Sequence, residues 1–284
     1  MNADFLNFSK LPIFLRSLSI EPSLILISWF LLLCETFTVY VYFWECVIVF
    51  ASTWLGYSAD RYFEPKSKTG LLKDRHLIFK QEDKMFKIFW LFTLLLTSAV
   101  SIYFLNNLQL FFLILLFIST SICLFIAYQE TKLKCKFIFL KEFRTAYVLS
   151  LTTIFFLTFK ISVYNANFLI SFVFFFLFYL SNLLYTNFYD LSYDQKLKRI
   201  SSLQENKKII ILSIGLCWAC ILIVIPIFAI FQNIITTIAC IIVLLTSHLL
   251  YKKKLIKGIQ LDTIYWVVPL IFYFTFKVYN EIQI

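Results

Sequence analysis

Tyr57-Ser58-Ala59-Asp60-Arg61-Tyr62-Phe63-Glu64 and Asn187-Phe188-Tyr189-Asp190-Leu191-Ser192-Tyr193-Asp194 share one form: a polar residue, then acids three and seven positions on. Asp60 and Asp190 lie 130 positions apart, each at the end of a long apolar run. In a helix carried through each stretch, carboxylates at i and i+4 project from one face about one turn apart. Like charges at that spacing disfavour a helix by about 0.2–0.5 kcal/mol. Incurring that cost twice implies a cation held between the carboxylates.

The runs around these two stations decide the class. Of 284 residues, 61% are hydrophobic, 35 are Phe and only 15% are charged, giving a mean hydropathy of +0.84. A soluble domain of this length cannot hide so much apolar surface. The expected fold is therefore all-α, a polytopic bundle of nine transmembrane helices forming a single domain over 1–284. Apolar spans of about 20 residues fall near 20–36, 38–57, 87–105, 108–127, 144–163, 167–186, 208–229, 233–251 and 262–280. The first two, broken only near Glu35 to Thr38, predict a tight hairpin, and Pro226 predicts a kink or end in the seventh. Lys10 and Arg16 precede an apolar run with no small-x-small cleavage site after it, which reads as a first membrane helix rather than a removed signal.

Orientation follows from the cations. Of 26 Lys and Arg, 24 fall in one alternate set of connections, leaving Lys160 and Lys277 on the other side. The positive-inside rule then puts the N-terminus and both stations on the cytoplasmic face and the C-terminus outside, as expected for a bacterial inner membrane. The net charge of +10 is thus spent on topology and anionic headgroups rather than on nucleic acid. Seven cysteines are scattered, mostly within apolar stretches. Cys217 and Cys220 have CxxC spacing without redox context and read as small apolar helix residues.

Taken singly, each station is an ordinary interfacial pair, since Glu64 has Lys68 and Asp194 has Lys198 four residues on. Two such stations on one side of the membrane read better as a built site. Their pattern resembles the UbiA superfamily of intramembrane prenyltransferases over nearly the whole chain. That family carries an Asn-Asp-x-x-Asp-x-x-x-Asp motif after its second helix and a related motif after its sixth. Asp60-Arg61 and Glu64 match the first, and Asp190 and Asp194 match the second. Tyr57 and Asn187 stand where the family has its leading Asp. Lys141-Glu142, between spans four and five, falls where many members carry a basic residue, and Ser202-Leu203 is similar to a dipeptide after the second motif.

The resemblance implies a nine-helix fold and a chemistry. Asp60, Glu64, Asp190 and Asp194 would hold Mg²⁺, which prefers carboxylate and water. Asn187 would ligate or hydrogen-bond a phosphate, and Arg61, Arg75, His76 and Lys141 would neutralise the rest of a prenyl diphosphate. Loss of diphosphate leaves an allylic cation, captured by an aromatic or other lipophilic acceptor in a cavity that excludes water. Asn182, two turns before Asp190, is an acceptor contact in this reading.

Smaller signals have plainer explanations. Lys73-Asp74-Arg75-His76 is also what a topology-setting basic loop looks like. His248, before Tyr251-Lys252-Lys253-Lys254, reads as an interfacial anchor. Glu35 and Glu45 lie at the outer boundary, within reach of water. Two alternatives to catalysis stay open: an inactive UbiA-like protein that binds a prenyl lipid or a partner, and a small transporter. A transporter wants its acids near the bilayer midplane, and these lie at one interface. Chain length of the prenyl group, acceptor identity and oligomeric state are not written in the sequence.

Overall fold

The structure, a computed structural model, describes residues 18–66, 83–133, 141–160, 166–196, 207–231, 234–253 and 258–283. Among the described residues there are nine α-helices and no strand: α1 Ile20–Thr36, α2 Phe43–Lys66, α3 Asp83–Phe104, α4 Asn107–Leu133, α5 Lys141–Lys160, α6 Ala166–Lys196, α7 Lys207–Phe231, α8 Ile234–Lys253 and α9 Gly258–Gln283. Each corresponds to one apolar span of the sequence. By length and composition three are sufficient to cross a bilayer, over Lys84–Phe104, Asn107–Gln129 and Leu169–Thr186. The protein is an all-α membrane protein.

The α1–α2 hairpin is closed by its backbone. Phe37 N–H donates to Leu33 C=O and Val39 N–H to Cys34 C=O, at 2.9 and 2.8 Å. Between them Thr38 takes the left-handed conformation, φ 53°. A β-branched residue there costs on the order of 1–3 kcal/mol, a strain that the two carbonyl caps help to offset. The chain then runs without regular secondary structure over 39–42 to α2, which starts at Phe43, five residues later than its apolar run.

Burial separates two kinds of helix. None of the Asn107–Gln129 window in α4 is buried, and little of α3 is, whereas more than half of the α6 window is. Phe92, Leu95, Ile102 and Phe111 are all more than half exposed. Helices without internal polar needs can show such faces to acyl chains at no cost. The core lies instead where α1 packs on α9, α2 and α5, and where α6 packs on α5 and α7. Aromatic rings fill it: Trp29 meets Phe178 edge-on at 4.9 Å, Phe178 meets Tyr265 at 4.9 Å, and Phe30 meets Phe156 at 5.9 Å. Buried hydroxyls are paired across helices, Thr153 to Tyr179 at 2.8 Å and Thr36 to Thr236 at 2.6 Å.

Several expectations need correction. Glu45 does not reach water. Its side chain is 1% exposed, and Oε2 accepts from Lys160 Nζ at 2.6 Å and from Tyr42 N–H at 3.0 Å. The lysine also donates to the Tyr40 carbonyl and lies 5.1 Å from the Tyr42 ring centre. In apolar surroundings an acid near a helix end finds a protein cation rather than solvent. His248 has a partner that the sequence did not show, its Nδ1 lying 3.1 Å from Tyr185 Oη. The seventh helix continues past Pro226 to Phe231, so that proline does not end it. A proline that the span pattern hid, Pro269, sits inside α9.

Candidate functional site

Both stations are helical throughout, since α2 runs to Lys66 and α6 to Lys196. Asp60 and Glu64, and likewise Asp190 and Asp194, therefore stand one turn apart on continuous helices. The side chains of Glu64, Asn187, Asp190 and Asp194 lie outside the described residues, as do Arg75 and His76 altogether.

Asp60 is the acid whose surroundings are described. Lys141, the first residue of α5, donates from Nζ to Oδ2 at 3.0 Å and to Oδ1 at 3.3 Å. Residues 81 positions apart thus join α2 to α5. The side chains are 42% exposed for Lys141 and 27% for Asp60. A pair this solvated adds only about 0–1 kcal/mol to stability, so holding the fold is a poor reason for it. Arg61, beside Asp60, is buried.

Tyr57 lies one turn deeper, partly buried against the core. Asp262, Arg61, Asp60 and Lys141 are all within electrostatic reach of its phenol. Asp262 is the residue that sequence reasoning missed. It heads an apolar stretch, so it looks like a span boundary, and its only signal is being an acid at the start of the last span.

The same neighbourhood reaches α6. Asp262 also acts on Tyr265, as does Tyr185 of α6, and Tyr265 packs on Phe178. Asp190 follows Tyr185 by five residues, about 7.5 Å of helix rise. The ends of α2 and α6 that carry the stations thus share the end of the bundle that holds the start of α5 and α9. The opposite end holds Glu45 with Lys160 and Trp44 stacked on Phe104 at 5.5 Å.

Below the second station lies a polar seam. Trp218 Nε1 donates to Tyr185 Oη, and that oxygen contacts His248 Nδ1, linking α6, α7 and α8. The Trp218 and His248 rings meet edge-on at 5.5 Å. Asn182, one turn earlier in α6, is buried, and its Oδ1 has no hydrogen-bond partner among the described residues. An orphaned buried amide oxygen costs on the order of 1–3 kcal/mol, which a ligand donor would relieve. Cys217 Sγ is turned to the Leu177 carbonyl at 3.2 Å, as befits a small helix residue.

The fit to a metal is uneven. Hard oxygen donors suit Mg²⁺, but both Asp60 oxygens already face an ammonium, and a phenol occupies the leading position. No group of three or more His, Cys, Asp or Glu comes together as a cation site among the described residues. Neither a family model nor a curated protein nor a solved structure matches the chain.

Proposed function

We propose that the chain is a divergent, nine-span member of the UbiA superfamily, with both stations on the cytoplasmic face. Its reaction is the Mg²⁺-dependent transfer of an isoprenoid group from a prenyl diphosphate to an aromatic or other lipophilic acceptor. The observation that carries this reading is the meeting of Asp60 with Lys141 at the end of the bundle where α6 presents Asp190 and Asp194.

In this reading Lys141 and Arg61 draw the diphosphate to the mouth, and Asp60 fixes the height of the lysine. Asp190 and Asp194, with Asn187, are the second station's candidates for holding the metal and the phosphate. Mg²⁺, when bound, supplies further charge neutralisation for the leaving diphosphate. The prenyl carbon–oxygen bond breaks with its electron pair going to diphosphate, and the acceptor forms the new bond to the allylic carbon. The proton lost by the acceptor passes to diphosphate. Asn182 Oδ1 accepts a hydrogen bond from an acceptor hydroxyl, and the aromatic core keeps water from the cation.

The test is diphosphate release from geranylgeranyl diphosphate by the protein in vesicles, with a panel of aromatic acceptors. Release that needs both Mg²⁺ and an acceptor, and is lost in Asp190→Ala, supports the reading. The phenol of Tyr57 at the leading position, where Mg²⁺ would want a carboxylate, favours one rival, a non-catalytic prenyl-lipid binder. That rival predicts lipid binding indifferent to Mg²⁺ and no release.

A further inference from the structure

Four polar atoms deep in the bundle lack a hydrogen-bond partner among the described residues: Trp29 Nε1 on α1, Ser181 Oγ and Asn182 Oδ1 on α6, and Tyr265 Oη on α9. Three of these residues are fully enclosed and Asn182 is 8% exposed. They gather around one ring, that of Phe178. The Trp29 ring meets it edge-on at 4.9 Å, and the Tyr265 ring lies at 4.9 Å. Ser181 and Asn182, three and four positions on, flank it on the same face of α6. Ser247 lies beside the Tyr265 phenol, but its hydroxyl already donates to the Val243 carbonyl at 2.7 Å and has no proton left for the phenol oxygen. A buried polar atom left unpaired bears its full desolvation cost, and native interiors keep few of them. Four around a single ring mark a place for a polar guest.

We infer that this point binds a neutral hydroxylated aromatic ring, a phenol or hydroquinone, as the acceptor of the reaction proposed above. The inference rests on that reading and narrows its acceptor from any lipophilic molecule to this class. The four atoms ask for a guest that both donates and accepts. Asn182 Oδ1 can only accept, the indole N–H can only donate, and the two hydroxyls do either. One phenolic O–H meets both needs, giving its proton to Asn182 and its lone pairs to Trp29. The charged group that acts on the Tyr265 phenol is an acid, Asp262, which repels an aryl carboxylate or a phosphate. The walls are the rings of Trp29, Phe175, Phe178 and Tyr265, against which an aromatic guest packs edge-on or offset. Of the four residues only Asn182 keeps any exposure, so the guest enters past it as the surrounding rings move apart.

The test is saturable binding of 1-naphthol to the full-length protein in nanodiscs, without Mg²⁺ or diphosphate and corrected for empty nanodiscs. Naphthalene and 1-naphthoic acid are the controls for the hydroxyl and for charge. One site per chain is expected, filled by naphthol at least about tenfold more tightly than by either control, the scale of one well-made hydrogen bond. Asn182→Leu should weaken naphthol at least about tenfold and yet raise the thermal midpoint of the empty protein, because an orphaned oxygen is gone. Trp29→Phe, which keeps a ring and removes the N–H, should weaken naphthol about fivefold. Equal affinity for naphthol and naphthoic acid, or naphthol affinity unchanged in a folded Asn182→Leu or Trp29→Phe protein, would overturn the inference. So would uptake that never saturates, which would leave water as the partner of the four atoms. Diphosphate release judges the transfer reading separately. Release with aryl carboxylates and not with naphthol would keep that reading and overturn this one. Naphthol binding with no release under any acceptor would overturn the transfer and, with it, the acceptor role of the bound ring.

Discussion

Lys141 Nζ sits 3.0 Å from Oδ2 of Asp60, tying the first residue of α5 to the C-terminal part of α2 across 81 positions of sequence. The pair is solvated enough to be weak as a fold staple and open enough to meet a ligand. Its removal should therefore hurt function more than folding. Asp60→Ala and Lys141→Met are each expected to lower kcat/KM on a prenyl diphosphate by about 10²-fold, the usual loss for one preorganised charge. Membrane insertion and thermal midpoint should stay close to the parent values.

The second station is expected to be less forgiving. Asp190→Ala should abolish turnover while the protein still inserts, and EDTA should do the same to the parent. Activity assays on membranes matched for protein level check both. Full activity in Asp190→Ala would remove the metal site from the account.

At the opposite end the ion pair is structural. Glu45 is buried and Lys160 nearly so, so removing one partner strands a desolvated charge. Glu45→Ala is expected to cost about 3–5 kcal/mol, and replacing both residues, Glu45→Leu with Lys160→Met, to recover most of that. Thermal unfolding in detergent, read as a double-mutant cycle, measures it. Prenyl diphosphate binding in the surviving protein should be unchanged, because this pair lies at the far end from the stations.

Trp218, Tyr185 and His248 bind three helices through one phenol oxygen. Tyr185→Phe leaves the indole N–H without its acceptor and is expected to lower stability by about 1–2 kcal/mol, the scale of a polar contact between membrane helices. Trp218→Phe should cost less, since only a donor is removed. The same unfolding assay separates the two.

Topology carries a prediction of its own. A reporter active only outside the membrane should be active when fused after Asn106 and inactive when fused after Gly70. The reverse result would put the stations on the wrong side for a cytoplasmic diphosphate.

Much of this architecture is legible in the sequence because apolarity and helix length answer to the same bilayer. The run at 20–36 matches α1, Ile20–Thr36, residue for residue. The second run ends at Tyr57, while α2 continues to Lys66. Hydropathy marks where a chain leaves the apolar medium, whereas backbone hydrogen bonding stops only when residues and caps stop it. The partner of Glu45 was hidden for a different reason. Lys160 is 115 residues away, and no local pattern brings them together. Asp262 was hidden in plain view, since an acid opening an apolar stretch looks like its boundary. Only its electrostatic reach to Tyr57 gives it a place in the site.

The central claim is a diphosphate site built across two helical stations. Its most direct test is equilibrium binding of farnesyl or geranylgeranyl diphosphate to the purified protein, with Mg²⁺ and then with EDTA. The account predicts tight binding in Mg²⁺ that falls by at least about tenfold in EDTA and is lost in Asp190→Ala, as expected where metal and carboxylate share the phosphate charge. Binding of equal strength in Mg²⁺ and EDTA, or no binding at all, would contradict it.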